Sequence, residues 1–248
     1  MKQTLMIAAI LMSLASASAA LDLAELTDSD RAAFRDEIRA YLLENPEILV
    51  EAMDVLKTRE AEAVTQQDVQ LVQANASAVF ESATDWAGGN LDGDITIVEF
   101  MDYQCSYCRK AHDEVSELIA TDGNIRFVVK EYPILGETSD LAARFAIAVR
   151  QIAGDDAYKA AHDALMTLRS DISSAALDKI AIDLGLDVAA VNKQMASEDV
   201  TAVIAANRAL GEAMLINGTP TFIVDQTMLR GYVPLEGMRQ VVAEERKS

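Results

Sequence analysis

The sequence predicts an α/β protein, and three observations carry that reading. A strand-like run, Ile95 to Met101, leads through a helical pattern at Val115, Leu118 and Ile119 into a second strand-like run, Ile125 to Tyr132. β-branched and aromatic residues fill both runs, as buried strands require. From Ser139 to Met214 the apolar spacing is helical throughout, and strand character returns only at Thr221 to Val224.

The first 20 residues read as a processing segment. Lys2 gives a short positive region, Leu5 to Leu14 an apolar core, and Ala17-Ser18-Ala19 a small-residue cleavage site near Ala19 or Ala20. That apolar core is too short to span a membrane, and no later run reaches about 18 apolar residues. Export to the periplasm as a signal-cleaved protein is therefore expected. No cysteine stands at the cleavage site to take a lipid. The net charge of −19 becomes −20 once Lys2 is removed, which argues against nucleic acid and anionic lipid as partners.

Residues 21–87 read as an α-helical segment. Thr27-Asp28-Ser29-Asp30 resembles an N-cap with acids in the first turn. Phe34, Ile38, Tyr41 and Leu42 mark one apolar face up to Asn45-Pro46, where Asn45 can cap and Pro46 can open a second helix. From Glu47 to Ala87 there is neither Gly nor Pro. A helix of about 35–40 residues would run about 50–60 Å. Leu49, Ala52, Met53 and Leu56 continue a narrow stripe, Lys57 to Asp68 is almost wholly polar, and Val69, Val72, Ala76 and Val79 resume it. Either the helix lies partly on its own domain, or the stripe is a self-association surface with a polar spacer behind it. Gly88-Gly89-Asn90 reads as the boundary with a second domain, residues 88–248.

In that domain the strand at Ile95 and the one at Ile125 form a parallel pair with a right-handed crossover. Pro133 stops the second strand. Leu141, Phe145, Ala148 and Ile152 mark one helix of the following block, Tyr158, Ala161, Leu165 and Leu168 another, and Leu177, Ile180, Ala181 and Leu184 a third. Val188 to Met195 and Val200 to Met214 complete it. Met228 to Tyr232 can pair with Thr221 to Val224, and Pro234 to Glu245 closes the chain as a helix. The order β, α, β, helical block, β, β, α is a thioredoxin-like fold with a helical insertion at about 139–214, preceded by an N-terminal α-helical segment.

The chemistry sits where the first strand meets the first helix of that domain, at Cys105-Ser106-Tyr107-Cys108. A cysteine at a helix N-terminus meets unpaired N–H groups and the positive end of the helix dipole, which favour its thiolate. Cys105 is then the exposed nucleophile and Cys108 the buried partner that resolves a mixed disulfide. Zinc would need about four ligands, and beyond these two cysteines only His112 and His162 remain. No metal is assigned, and His162 receives no role. Lys110 and His112 read chiefly as a solvated helix face. A structural disulfide across two residues would close too small a loop to stabilise much.

The motif with its strand, Glu131-Tyr132-Pro133-Ile134-Leu135, the helical insertion and Gly218-Thr219-Pro220-Thr221-Phe222 together resemble the DsbA-like family of thiol–disulfide oxidoreductases of the bacterial envelope. Tyr41 to Leu49 resembles the N-terminal region of the ScsC-type, copper-tolerance branch, some members of which oligomerise and act as isomerases. The resemblance implies a cis bond before Pro220, beside Cys105, with the backbone of Thr219 offered to an extended substrate. An ordinary trans loop proline is the alternative. Thr219 itself resembles the isomerase members. Glu99 stands where the family carries a buried acid that moves a proton to or from the second cysteine, with desolvation raising its pKa. A charge at a strand edge is the alternative.

Ser106 and Tyr107 tune the thiolate, and neutral Tyr107 replaces the His of the DsbA oxidase, so a milder oxidant is expected. The resemblance implies no organic cofactor. Its implied partners are partly folded exported proteins, a membrane redox partner that resets the pair, and copies of the same chain, most simply a trimer. A disulfide isomerase or reductase is the first reading and a disulfide-donating oxidase the second. A third, from another class, is a copper-tolerance protein whose thiolates hold Cu(I).

Overall fold

The structure, a computed structural model, describes residues 27–247; the expected signal peptide lies outside the described residues. Two compact units divide the chain, one ending at Arg59 and the other running from Glu60.

In the first unit, helix α1 spans Asp28–Glu44. Thr27 and Asp30 form the capping box that the sequence pattern implies: the Thr27 hydroxyl lies 2.6 Å from Asp30 Oδ2, which also accepts the Thr27 N–H. Asn45 closes α1 instead of opening the next helix, donating from both its backbone and its side chain to the Tyr41 carbonyl. No residue of α1 is buried. Phe34, Ile38 and Tyr41 keep 47%, 44% and 55% of their surface, and Leu49, Met53 and Leu56 are likewise exposed. The apolar stripe therefore exists as drawn and has no cover among the described residues.

Helix α2, Glu47–Ala74, is continuous through the polar stretch at 57–68. Its 28 residues give a length of about 42 Å, shorter than expected. The helix breaks at Asn75, whose amide donates to the Leu71 carbonyl, and the short helix α3, Ala76–Phe80, follows. Within the second unit, Asp68 is buried and paired with Arg230, Nη2 to Oδ1 at 2.6 Å, while Val72 and Val79 enter the core.

The boundary expected at Gly88-Gly89-Asn90 is not one. Strand β1, Trp86–Gly89, runs antiparallel to strand β3, Ile125–Glu131, and belongs to the central sheet. The two glycines answer to close approach and not to a linker. A Cβ at Gly88 would lie 2.2 Å from the Trp86 ring, and one at Gly89, φ +72°, would lie 2.5 Å from the Ile125 carbonyl oxygen.

The remaining strands are β2 (Ile95–Met101), β3 (Ile125–Glu131), β4 (Thr221–Val224) and β5 (Thr227–Arg230), in the order β1-β3-β2-β4-β5. Only β2 and β3 are parallel, joined through α4 (Ser106–Asp122). The insertion comprises α5 (Glu137–Ala153), α6 (Asp155–Met166), α7 (Ser174–Asp183), α8 (Val188–Met195) and α9 (Glu198–Ala213), and α10 (Leu235–Glu245) closes the fold.

Alternation along the strands splits the core in two. Ile95, Ile97, Met101, Phe127 and Val129 face α4 to α6, whereas Val98, Phe100, Val128 and Ile223 face Val72, Val79 and Met214. By the same period, Glu99 lies on the face of Ile97 and Met101, beneath the helix that Cys105 opens.

Candidate functional site

Cys105 is the N-cap of α4, with extended backbone (φ −74°, ψ 115°). Its place is fixed by Asp102, a fully buried carboxylate three residues earlier. Asp102 Oδ1 accepts the Gln104 N–H at 2.8 Å, and Oδ2 accepts the N–H groups of Ile134 and Leu135 at 2.8 and 3.0 Å. One side chain thus shapes the cysteine loop and ties the 133–136 loop beside it. Sequence reading gave Asp102 no role, because Ile134 and Leu135, which it ties to the motif, lie over 30 residues away.

The Thr219–Pro220 bond is cis. Cys105 Sγ lies 3.1 Å from the Thr219 carbonyl oxygen, so the loop before β4 and the motif are in contact. Cys105 keeps 7% of its surface and Cys108 none. The expected contrast in exposure is therefore smaller than drawn, and chemistry separates the two thiols more than access does. A hydrogen bond with the Cys108 thiol, against the opposing effect of burial, and further bonds from Thr219 and the N–H groups of Cys108 and Tyr107 bring Cys105 down to about 5. Burial, its bond to Cys105 and the charge of Glu99 push Cys108 far up. At neutral pH one sulfur is a thiolate and the other a thiol.

Ser106 and Tyr107 open α4. Tyr107 is 57% exposed and stacks on Tyr232, with ring centroids 5.9 Å apart, while the Lys110 ammonium lies 4.2 Å from the centre of the Tyr232 ring. Ile134, Leu135 and Leu215 are further exposed apolar side chains of the second unit.

Glu99 is buried on the central strand, not at an edge, between Val129 and Phe222. Burial first, then the charge on Cys105 and that of Glu131, raise it to about 8. Its Oε1 has no hydrogen-bond partner among the described residues. Glu131, on the neighbouring strand, is also raised by burial to about 8, although Tyr158 and Tyr103 both donate to its Oε1 at 2.7 and 2.8 Å. Tyr103 continues to His162 Nδ1 at 3.0 Å, and burial drives His162 down to about 3, leaving it neutral. Glu131, Tyr103 and Tyr158 form a polar network that the sequence reading missed. These three lie 27–55 positions apart in sequence, and no local period marks them. His112 differs from its reading as a solvated residue: its side chain is only 12% exposed.

Comparison with known proteins agrees with this geometry. The model of the DSBA-like thioredoxin domain matches residues 96–243, and that of the copper resistance protein ScsC N-terminal domain matches residues 30–63. A thioredoxin-like oxidoreductase from Silicibacter pomeroyi is similar at 40% identity, covering 70% of this chain and 99% of its own, with a TM-score of 0.66. BcfH of Salmonella enterica Typhimurium aligns over 87% of this chain and 96% of its own, at 28% identity and a TM-score of 0.74. Proteus mirabilis ScsC in a compact conformation aligns over 87% and 97%, at 25% identity and a TM-score of 0.65. Among curated proteins, the Na(+)/H(+) antiporter NhaA 3 of Salinispora tropica is 27% identical over 158 residues, 64% of this chain, and the match spans only 24% of that antiporter's length. No helix among the described residues is long and apolar enough to cross a membrane. A fold, a Cys-x-x-Cys at a helix N-terminus and a cis-proline loop against it meet here in a chain that belongs to the DsbA-like thioredoxin family of thiol–disulfide oxidoreductases, with an N-terminal region of the ScsC type.

Proposed function

We propose that the protein is a periplasmic disulfide isomerase and reductase acting on exported proteins through Cys105 and Cys108. The observation that supports the chemistry is the opposed tuning of the two sulfurs, one held as thiolate and one as thiol. The Cys105 thiolate attacks a substrate disulfide, forming a mixed disulfide and releasing one substrate thiolate. Its negative charge is then gone, and with it one of the causes that raise Glu99. Glu99 then ionises more readily, so that a carboxylate is at hand when Cys108 must lose its proton. The Cys108 thiolate attacks Cys105 Sγ and expels the second substrate thiolate. The pair ends oxidised and the substrate has gained two electrons. In isomerisation a substrate thiolate attacks the mixed disulfide instead and leaves Cys105 reduced. The Thr219 backbone holds the substrate strand, and Ser106 and Tyr107 border it.

The isomerase reading rests on residues 27–59. A misfolded substrate is rearranged best by several sites held around it, and the exposed stripe from Phe34 to Leu56 offers a way to assemble them. A homo-oligomer is the assembly this reading needs, and a trimer is what the resemblance to the ScsC branch implies. The test removes residues 21–59, sparing β1, Val72 and Val79, which the sheet unit needs. The shortened protein should be monomeric by light scattering, reduce insulin at the full-length rate and lose most isomerase activity on scrambled ribonuclease. A monomeric full-length protein at micromolar concentration overturns the assembly.

One observation favours the oxidase. A Cys105 thiolate held near 5 stabilises the reduced pair, which makes the disulfide a stronger electron acceptor. A measured potential near that of thioredoxin, about −270 mV, supports reduction, and one near −120 mV supports donation.

A further inference from the structure

His112 on α4 and His162 on α6 both line a cavity of about 190 Å³, whose wall also includes Glu99 and Lys159. A ring nitrogen of each histidine and a carboxylate oxygen of Asp163 lie within 4.8 Å of one another. The nearest pair, His112 Nε2 and Asp163 Oδ1, is 3.2 Å apart, and nothing in thiol exchange as derived above uses any of the three.

Two further observations point to a ligand. Asp163 Oδ1 is buried and, among the described residues, meets no donor but the His112 ring, 3.2 Å from Nε2. Lys159 occupies only the other oxygen, Oδ2, at 2.5 Å. His162 is also oriented from behind. Tyr103 gives its own proton to Glu131, so at Nδ1 it accepts the imidazole N–H, and Nε2 is left with the lone pair. A histidine held through Nδ1–H by a hydroxyl and a carboxylate behind it is the arrangement that outer-shell partners impose on metal-binding histidines.

We propose that His112, His162 and Asp163 form a binding site for a divalent transition-metal ion of the zinc class, separate from the cysteine pair. Two imidazoles and a carboxylate suit such an ion better than Cu(I), which prefers thiolate. Ligand bonds of about 2.0–2.2 Å put donor atoms roughly 3.3 Å apart around a tetrahedral ion. The His112–Asp163 spacing already meets that, and the third donor, within 4.8 Å of both, has at most about 1.5 Å to close. The cavity leaves the fourth position to water. A bound ion would tie α4, the helix that Cys105 opens, to the insertion helix α6.

The test uses the full chain in its disulfide form, so that no thiolate can bind, titrated with Zn²⁺ by calorimetry and with Co²⁺ by absorption. One saturable Zn²⁺ per chain is expected, and a Co²⁺ spectrum without thiolate charge transfer. His112→Ala and Asp163→Asn alter partly exposed side chains, and each should weaken Zn²⁺ by tenfold or more with unchanged far-ultraviolet circular dichroism. Tyr103→Phe, acting only from behind His162, should weaken it by about 10–100-fold. No saturable binding to the disulfide form, or equal affinity in the His112 and Asp163 variants, overturns the site. Binding that requires the reduced cysteines overturns it too.

Discussion

The two faces of the sheet bury charge in opposite ways. On the face that packs against α3 and α9, Lys130 is buried with Asp85, and both are satisfied: Lys130 also donates to the Ala78 carbonyl, and Asn207 donates to Asp85 and to the Glu131 carbonyl. On the face under α4, no cation is paired with Glu99 or Glu131 among the described residues, and Glu99 Oε1 and Glu131 Oε2 are left unbonded. The first arrangement holds a fold together, because each charge is met. The second stores protons, because burial keeps an unmatched carboxyl near neutrality at the pH where thiols exchange. Burial alone does not distinguish structure from chemistry; the partner does.

The largest effect should come from breaking the matched pair. Lys130→Met leaves Asp85 buried and uncompensated, at a cost of about 3–5 kcal/mol. Denaturant unfolding of the disulfide form measures it, and a loss below 1 kcal/mol would erase the contrast between the faces.

Glu99→Gln should act the other way. The folded-state pKa of Glu99 lies near 8 against 4.5 for the unfolded chain, so the native state holds the extra proton between those values. Stability therefore falls as pH rises from about 4.5 to 8. The Gln variant should flatten that fall and gain on the order of 1–3 kcal/mol at pH 9, the scale of an unmatched buried group. It should also slow release of the mixed disulfide, seen as accumulation of the substrate-linked species. An unchanged stability profile with pH would remove Glu99 from the proton-holding group.

The smallest change sharpens the comparison within one face. Tyr158→Phe takes away one of the two hydroxyls on Glu131 and makes it more like Glu99. A loss of about 1 kcal/mol at pH 7 is expected, and a Glu131 carboxyl shifted upward by nuclear magnetic resonance titration. A downward shift would show that the hydroxyls do not restrain this acid.

How much of this was legible depends on the range of the contact. β2, α4 and the motif follow from local patterns, the loop at 218–222 follows from the family resemblance, and Ile95–Met101 has the bounds its composition implies. Glu99 was singled out by the resemblance, and alternation along β2 accounts for the face it takes. Trp86–Gly89 was opaque, since its two glycines look like punctuation until Trp86 is seen stacked on Tyr158 and edge-on to Phe127. The Glu131 network was opaque for the same reason. Lys130 and Glu131 are adjacent charges in a strand, and only the packing on each side decides that one is matched and its neighbour is not.

Asp102 has a consequence for how such a chain can change. It anchors the 133–135 backbone to the cysteine loop before the insertion begins at Glu137, and the chain returns to the motif at Thr219 only after the insertion has ended at Ala213. Both walls of the sulfur are thus tied to the motif by bonds made outside the insertion helices, and those helices add ties of their own, Arg208 to the Pro133 carbonyl and Tyr158 to Glu131. Change confined to the outer surface of the five helices leaves all of these bonds, and the surroundings of the thiol, as they are.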